Sequence, residues 1–304
     1  MDSRDSLNWI IKKNYIKDLE DNYWRKVKKY KLKESSILTC IISAGKISSS
    51  PRRIASAFND FFITKVEKLR EEIPDRGIDP LNILSSCIEK LSTKFVFKPT
   101  TTTEIFNILR EMKSSKSCGY DNITTVFIKI ASNGICHLTN QIIRCGQFPD
   151  ILKISRIQPL KKEGKPALEM SSYSLINNLS VIDKIIEEVI RSQIDTYFNQ
   201  NGLLLEGNHG GRSSHSTLTV HGCIQASSNR QMDQCISSAI LATDLLSAFD
   251  IVDTEIFLRK LAFYGFKEDA TTLIKNYLRN RKSICRLQGY YSEEKNNKDC
   301  GTVQ

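Results

Sequence analysis

Thr243-Asp244-Leu245-Leu246-Ser247-Ala248-Phe249-Asp250-Ile251-Val252-Asp253 is the stretch on which the reading of this chain turns. Directly before it runs Ser238-Ala239-Ile240-Leu241-Ala242, small and apolar without a break, the pattern of a strand buried on both faces. Such a strand would deliver Thr243 and Asp244 to its carboxyl end, ahead of a turn into a helix. Core packing does not account for a carboxylate at that point, because an unpaired buried charge is costly. The group must pair, bind a metal or cap the helix that follows, and the spacing alone leaves cap and metal ligand equally open.

Working outward, helical stripes dominate. Ile54, Ala57, Phe58, Phe61, Phe62, Val66 and Leu69 recur at helical spacing. Ile105, Ile108, Leu109 and Met112 do the same behind Thr100 to Thr103, a threonine run suited to capping. The strongest stripe is Ile182, Ile185, Ile186, Val189, Ile190, Ile194, Tyr197 and Phe198, closed by Asn199-Gln200-Asn201-Gly202. Two more helices are expected through Phe257, Leu261 and Tyr264, and through Leu273, Ile274, Tyr277 and Leu278. These are core faces without assigned chemistry. Leu152 to Leu160 reads as a strand feeding the turn Lys161-Lys162-Glu163-Gly164-Lys165-Pro166, a hairpin projecting towards phosphates. Residues 73–100 and 203–217 are rich in Pro, Gly, Ser and Asn and read as linkers or long loops. No internal repeat is visible. The fold class expected is α+β, with residues 1–99 a helical, basic N-terminal region and linker, and residues 100–304 a second unit.

Lys+Arg 44 against Asp+Glu 34 gives a formal net charge of +10, which predicts attraction to polyanions, nucleic acid first. The basic residues Arg25, Lys26, Lys28, Lys29, Lys31 and Lys33 lie among Trp24 and Tyr30, so phosphate neutralisation and base stacking are both on offer. The plainer reading of that segment is a solvated helix face. No apolar run of 18 residues exists, and Met1-Asp2-Ser3-Arg4-Asp5 is too polar to begin a signal peptide. The expectation is an intracellular protein, in cytoplasm or nucleus, with no membrane partner. The nine cysteines contain no Cys-x-x-Cys pair, and read as reduced, mostly buried thiols. His209, His215, His221 and Cys223 suggest zinc only superficially. Steps of six residues turn by roughly 600° on a helix and scatter ligands around its axis. There is no phosphate-binding P-loop and no nucleophile elbow.

The Thr243–Asp253 stretch resembles the first palm motif of reverse transcriptases from non-long-terminal-repeat retrotransposons, jockey-like or LINE-like elements. Further segments match in order. Lys113-Ser114-Ser115-Lys116-Ser117-Cys118-Gly119-Tyr120-Asp121-Asn122-Ile123 resembles the basic Gly-Asp segment ahead of the fingers. Gly146-Gln147-Phe148-Pro149, Leu152-Lys153 and Pro159-Leu160-Lys161-Lys162-Glu163-Gly164 resemble the fingers hairpin. Tyr173-Ser174-Leu175-Ile176 stands where an aromatic-Arg-Pro-Ile step is usual, and Asn208-His209-Gly210-Gly211-Arg212 where Gly-Phe-Arg is usual. Ser216-Thr217, Tyr277-Leu278-Arg279-Asn280-Arg281 and Gly301-Thr302-Val303-Gln304 continue the series. The likeness covers residues 100–304, and Ala55 to Phe62 is similar to the region between endonuclease and polymerase.

The resemblance implies a right-hand polymerase fragment, fingers and first part of the palm, preceded by a helical N-terminal region and with the thumb absent. It implies an RNA-directed DNA polymerase working on an RNA template, a DNA primer and deoxynucleoside triphosphates with Mg2+. Asp244 would be the catalytic metal ligand, joined by the Leu245 carbonyl, while Phe249, Gln304, Lys161, Lys162 and Arg212 would contact the nucleotide. Four positions depart from the pattern: Ser174 for arginine, Leu175 for proline, Gly211 for phenylalanine and Val303 for proline. The aromatic-x-Asp-Asp turn falls beyond Gln304 in the family, and one aspartate does not hold two cations. The expectation is that this chain alone is inactive. The alternative is a non-catalytic nucleic-acid-binding remnant, or a decayed retrotransposon copy. Oligomeric state is left open.

Overall fold

The computed structural model describes residues 40–43, 46–74, 77–89, 91–112, 118–129, 131–245 and 247–297. It is mixed helix and sheet, as the α+β expectation requires. A short hairpin, β1 (Ile41–Ser43) and β2 (Lys46–Ser48), leads into α1 (Pro51–Glu71). Proline at the first position of α1 suits a turn where no backbone donor is needed, and Ile54, Ala55, Phe58 and Phe62 make the apolar face expected for it.

That face lies on a sheet. The strands are β3 (Ile154–Lys161), β4 (Tyr173–Asn178), β5 (Lys282–Leu287), β6 (Tyr290–Tyr291) and β7 (Lys295–Asn296). β4 is antiparallel to β3, β5 runs parallel to β3, and both β6 and β7 add to the far edge of β5. Ile157, Tyr173 and Cys285 point to α1 and pack with Ile41, Ile54, Phe58 and Phe62, so one core draws on residues from both sides of position 100. The Phe58 ring meets Tyr173 edge-on at 4.9 Å. Burial pushes the Cys285 thiol up to about 12, so it stays a neutral core group.

The helices between the strands are α2 (Pro80–Cys87), α3 (Thr102–Glu111), α4 (Thr125–Ile128), α5 (Ser132–Cys145), α6 (Val181–Gln200), α7 (Thr217–Asp233), α8 (Thr254–Phe263) and α9 (Glu268–Leu278). Thr101 caps α3 in a reciprocal box with Glu104, as the threonine run suggested. α5 ends at Gly146, whose left-handed backbone (φ 65°) releases the chain towards Phe148. The stripe of α6 is shared between two cores: Val181, Ile185 and Val189 meet Ile105, Leu109 and Ile135, while Ile186 meets Phe148, Leu152 and Leu273. Its C-terminal Tyr197 joins Phe95, Leu261 and Phe266, and donates from its hydroxyl to the Tyr264 carbonyl at 2.8 Å.

Three expectations fail. Residues 73–100 are not all loop, because Asp79 and Pro80 supply cap and first turn for α2, with Asp79 accepting from the Leu81 amide at 2.9 Å. The thiols are not mostly buried: Cys136 and Cys285 are, but Cys87, Cys145, Cys223 and Cys235 are exposed. Cys223 sits on α7, a helix none of whose residues is buried. Finally, residues 238–242 form no strand. They are irregular and exposed, with Ile240 at 68% and Leu241 at 89% exposure. A strand needs a neighbour to take its backbone hydrogen bonds, and among the described residues nothing pairs with this segment. Among the described residues no helix is long and apolar enough to cross a membrane.

Candidate functional site

Asp244 stands at the end of that exposed run. α7 is capped by Ser216, with Thr219 returning the bond, and the chain turns at Cys235 (φ 54°) before residues 236–245. Leu245 is 77% exposed and Phe249 62%. Asp244 caps no helix. That role falls to Asp253, which accepts from the Ile256 amide at 2.9 Å at the start of α8. Asp253 also pairs with Arg70 of α1 at 2.8 Å, and Lys65 of α1 donates to the Ser247 hydroxyl at 3.3 Å. The turn after Asp244 is therefore tied to α1, whereas Asp244 and Leu245 face solvent.

The other cations of interest lie elsewhere on the surface. Lys161 ends β3 opposite Tyr173, and the Lys162 amide donates to the Ser172 carbonyl at 2.8 Å, so both lysines sit at the turn of the β3–β4 hairpin. Gly164 (φ 71°) makes that turn possible. Arg212 folds its guanidinium onto the Leu205 carbonyl at 3.2 Å, pinning its own loop. Among the described residues, no hydrogen bond or ion pair joins Asp244, Leu245 or Phe249 to Lys161, Lys162 or Arg212. Gln304 and the basic run Arg25, Lys26, Lys28, Lys29, Lys31 and Lys33 lie outside the described residues.

No group of three or more His, Cys, Asp or Glu is placed to hold a metal among the described residues. The His209 and His215 rings lie 5.0 Å apart, tilted by 58°, but their Nδ1 atoms are used by the Thr219 hydroxyl at 2.7 Å and the Ser213 carbonyl at 2.9 Å. The described carboxylates thus do not by themselves assemble a magnesium site.

A polar centre that the sequence reading missed lies beneath α6. Arg281 donates to Asp183 at 3.2 Å, with both side chains buried, and stacks over the Tyr277 ring at 4.7 Å. The Tyr277 hydroxyl donates to Glu187. Of the two carboxyl groups only Asp183 contacts the guanidinium, Glu187 being half-buried and bonded to Tyr277, and Asp183 Oδ1 has no partner among the described residues. Burial first, and then Glu187, pushes the Asp183 carboxyl up to about 7. Glu187 is raised by burial, and Tyr277 well above its ordinary range by burial and by Glu187. One signal was available: two acids four residues apart inside the strongest apolar stripe of the chain.

No protein-family model matches the chain. Over 290 residues, 92% of the chain, it is 23% identical to the Drosophila melanogaster "Probable RNA-directed DNA polymerase from transposon BS". Over 279 residues, 90% of the chain, it is 25% identical to the "Probable RNA-directed DNA polymerase from transposon X-element" of the same species. These stretches are 31% and 29% of the two relatives, so the chain spans about a third of their length. The resemblance to reverse transcriptases of this kind holds across nine-tenths of the chain.

Proposed function

We propose that this chain is the fingers and first part of the palm of a retrotransposon RNA-directed DNA polymerase, acting on an RNA template, a DNA primer and deoxynucleoside triphosphates. The observation that carries the reading is similarity over nine-tenths of the chain to two such polymerases. In this reading residues 100–304 are the partial polymerase domain, with α1 packed on its sheet. Asp244 and the Leu245 carbonyl belong to a Mg2+ site completed by carboxylates from elsewhere in a polymerase of the relatives' length. Phe249 lies beside the incoming sugar, and Lys161, Lys162, Arg212 and Gln304 contact nucleotide or template. The basic run from Arg25 to Lys33 adds sequence-independent attraction.

Two structural features support the reading. The β3–β4 hairpin presents Lys161 and Lys162 at its turn, where a strand's phosphates can reach them. The exposed segment before Asp244 lies outside any helix or strand, so its backbone donors and acceptors are open to a partner. Ser174, in place of an arginine, favours the second reading of a non-catalytic nucleic-acid-binding remnant.

The test is binding of the purified chain to a primed RNA template followed by fluorescence anisotropy. Affinity should be nearly independent of sequence, and log K should fall with log salt by roughly 0.7 to 0.9 per phosphate neutralised. Lys161→Gln with Lys162→Gln should flatten that slope. Salt-independent binding, or a slope untouched by the double substitution, contradicts the assignment of the hairpin.

A further inference from the structure

The face of the sheet turned away from α1 carries a feature that the motif resemblance does not use. By strand alternation, Arg156, Gln158 and Leu160 of β3 share this face with Asn178, Ile176 and Ser174 of β4 and with Ile284 and Arg286 of β5. Arg156 is only 5% exposed. Among the described residues its one side-chain hydrogen bond is from Nη1 to the Cys118 thiol at 3.5 Å, and none of their carboxylates forms an ion pair with it. A guanidinium in so buried a setting, with no carboxylate beside it, gains from an anion that can reach it. Among the described residues, the polar side-chain atoms sealed from solvent without a partner are Asp183 Oδ1 and Arg279 Nε. The other guanidinium nitrogens of Arg156 therefore still reach solvent.

The surroundings are built rather than accidental. Cys118, Tyr120 and Asp121 belong to a loop held hard against the start of α6. A Cβ on Gly119 would stand 2.6 Å from the Ser180 amide nitrogen, so only glycine allows this approach. Asp121 accepts from the Ser180 hydroxyl at 2.5 Å, which engages the one carboxylate of that loop. On the other side Arg286, exposed, lies over the Tyr291 ring at 5.7 Å, and Tyr291 meets Tyr120 edge-on at 6.5 Å. Two guanidinium groups and two tyrosine rings lie on this side of the sheet, Arg156 buried and Arg286 exposed.

We propose that Arg156, seconded by Arg286, is a phosphate-binding position, with Tyr120 and Tyr291 flanking the base or sugar that the phosphate carries. That the phosphate belongs to a nucleic-acid strand or a nucleotide rests on the polymerase reading. The anion site itself rests on a guanidinium that has no carboxylate partner among the described residues and whose free nitrogens still reach solvent. Ser174, where the resemblance expects arginine, lies on this same face four residues' run from Arg156. The face thus takes its positive charge from β3 and β5 instead of β4.

Thermal unfolding of the purified chain tests this with three probes: a 12-nucleotide single-stranded RNA, dATP and inorganic pyrophosphate. The wild type should gain roughly 3 °C in Tm at saturating probe. Protection by RNA without dATP identifies strand phosphate, and protection by dATP identifies the nucleotide. Pyrophosphate protection alone keeps the anion site while removing the polymerase reading. Arg156→Gln should abolish the gain, Arg156→Lys should keep part of it, and Arg286→Gln should weaken binding several-fold without altering the unliganded Tm. No gain with any probe in the wild type, or a full gain in Arg156→Gln, overturns the proposal. Should Arg156→Gln not fold, an unchanged affinity in Arg286→Gln overturns it equally.

Discussion

Arg281, at the entry to β5, reaches across 98 residues of sequence to Asp183 in the first turn of α6, placing Nη2 3.2 Å from Oδ2 inside the protein. This contact joins the sheet to the central helix, and the chain between the two residues includes the whole Asp244 segment. Removing either partner strands the other in a buried setting, which typically costs about 3–5 kcal/mol. Arg281→Met should therefore destabilise strongly, whereas the pair Arg281→Met with Asp183→Leu should recover much of the loss. Urea unfolding of the single and double variants checks this, and additive losses would contradict it.

The same centre predicts a pH dependence of defined sign. Asp183 has an ordinary carboxyl value of 3.8 when unfolded and about 7 when folded, raised by burial and Glu187 against the opposing pull of Arg281 and Lys184. The folded state holds the proton more tightly. Its contribution is complete below about pH 4 and is lost as pH rises through 7, at most about 1.4 kcal/mol per unit. Asp183→Asn should remove this fall, so the wild-type minus variant difference in unfolding free energy should decline from pH 5 to pH 8. A difference that is flat or rises over that range would contradict the assignment.

Asn59 of α1 is fully buried and satisfies three acceptors, the Ser283 carbonyl at 3.0 Å, the Ser292 hydroxyl at 3.2 Å and the Glu293 carbonyl at 3.2 Å, while its Oδ1 accepts from the Ser283 hydroxyl at 2.7 Å. Asn59→Leu removes all four bonds and leaves the buried Ser283 hydroxyl without its acceptor, although Ser292 Oγ keeps the Cys285 amide and the Glu293 carbonyl keeps the Ser292 hydroxyl. The expected loss is on the order of 3 kcal/mol, measured by chemical denaturation. A loss under half of that would mean that water replaces the side chain.

Phe249 offers a contrast. At 62% exposure it is not a core group, so Phe249→Ala should change unfolding free energy by less than about 0.5 kcal/mol. In a polymerase extended to the relatives' length, the same substitution should raise ribonucleotide incorporation relative to deoxynucleotide. A variant that unfolds without altered sugar choice removes Phe249 from the nucleotide site.

The elements legible in the sequence are those whose stability comes from their own covered stripe. α1, α3, α6, α8 and α9 bury or half-bury the residues that spacing marked, and the β3–β4 hairpin turns where the Lys-Gly-Pro run said it would. α7 escaped because it buries nothing and so has no stripe to read. The run at 238–242 misled for a related reason: its apolar pattern describes what a strand would bury once paired, and pairing is a property of the neighbour. The Asp183–Arg281 contact was hidden by sequence distance. Arg156 was hidden by type, since an arginine in a strand reads as solvated until its burial is known.

The most direct test of the central claim concerns Asp244. The chain should be joined at residue 304 to the portion of the transposon BS polymerase that follows its matched segment. Primer extension on an RNA template is then measured for the parent and for Asp244→Asn, alongside template affinity. Asparagine keeps the shape of the side chain and removes its charge. The account predicts template-dependent deoxynucleotide incorporation by the parent and its collapse in Asp244→Asn, with template affinity unchanged. Extension by Asp244→Asn at the parent's rate would contradict it.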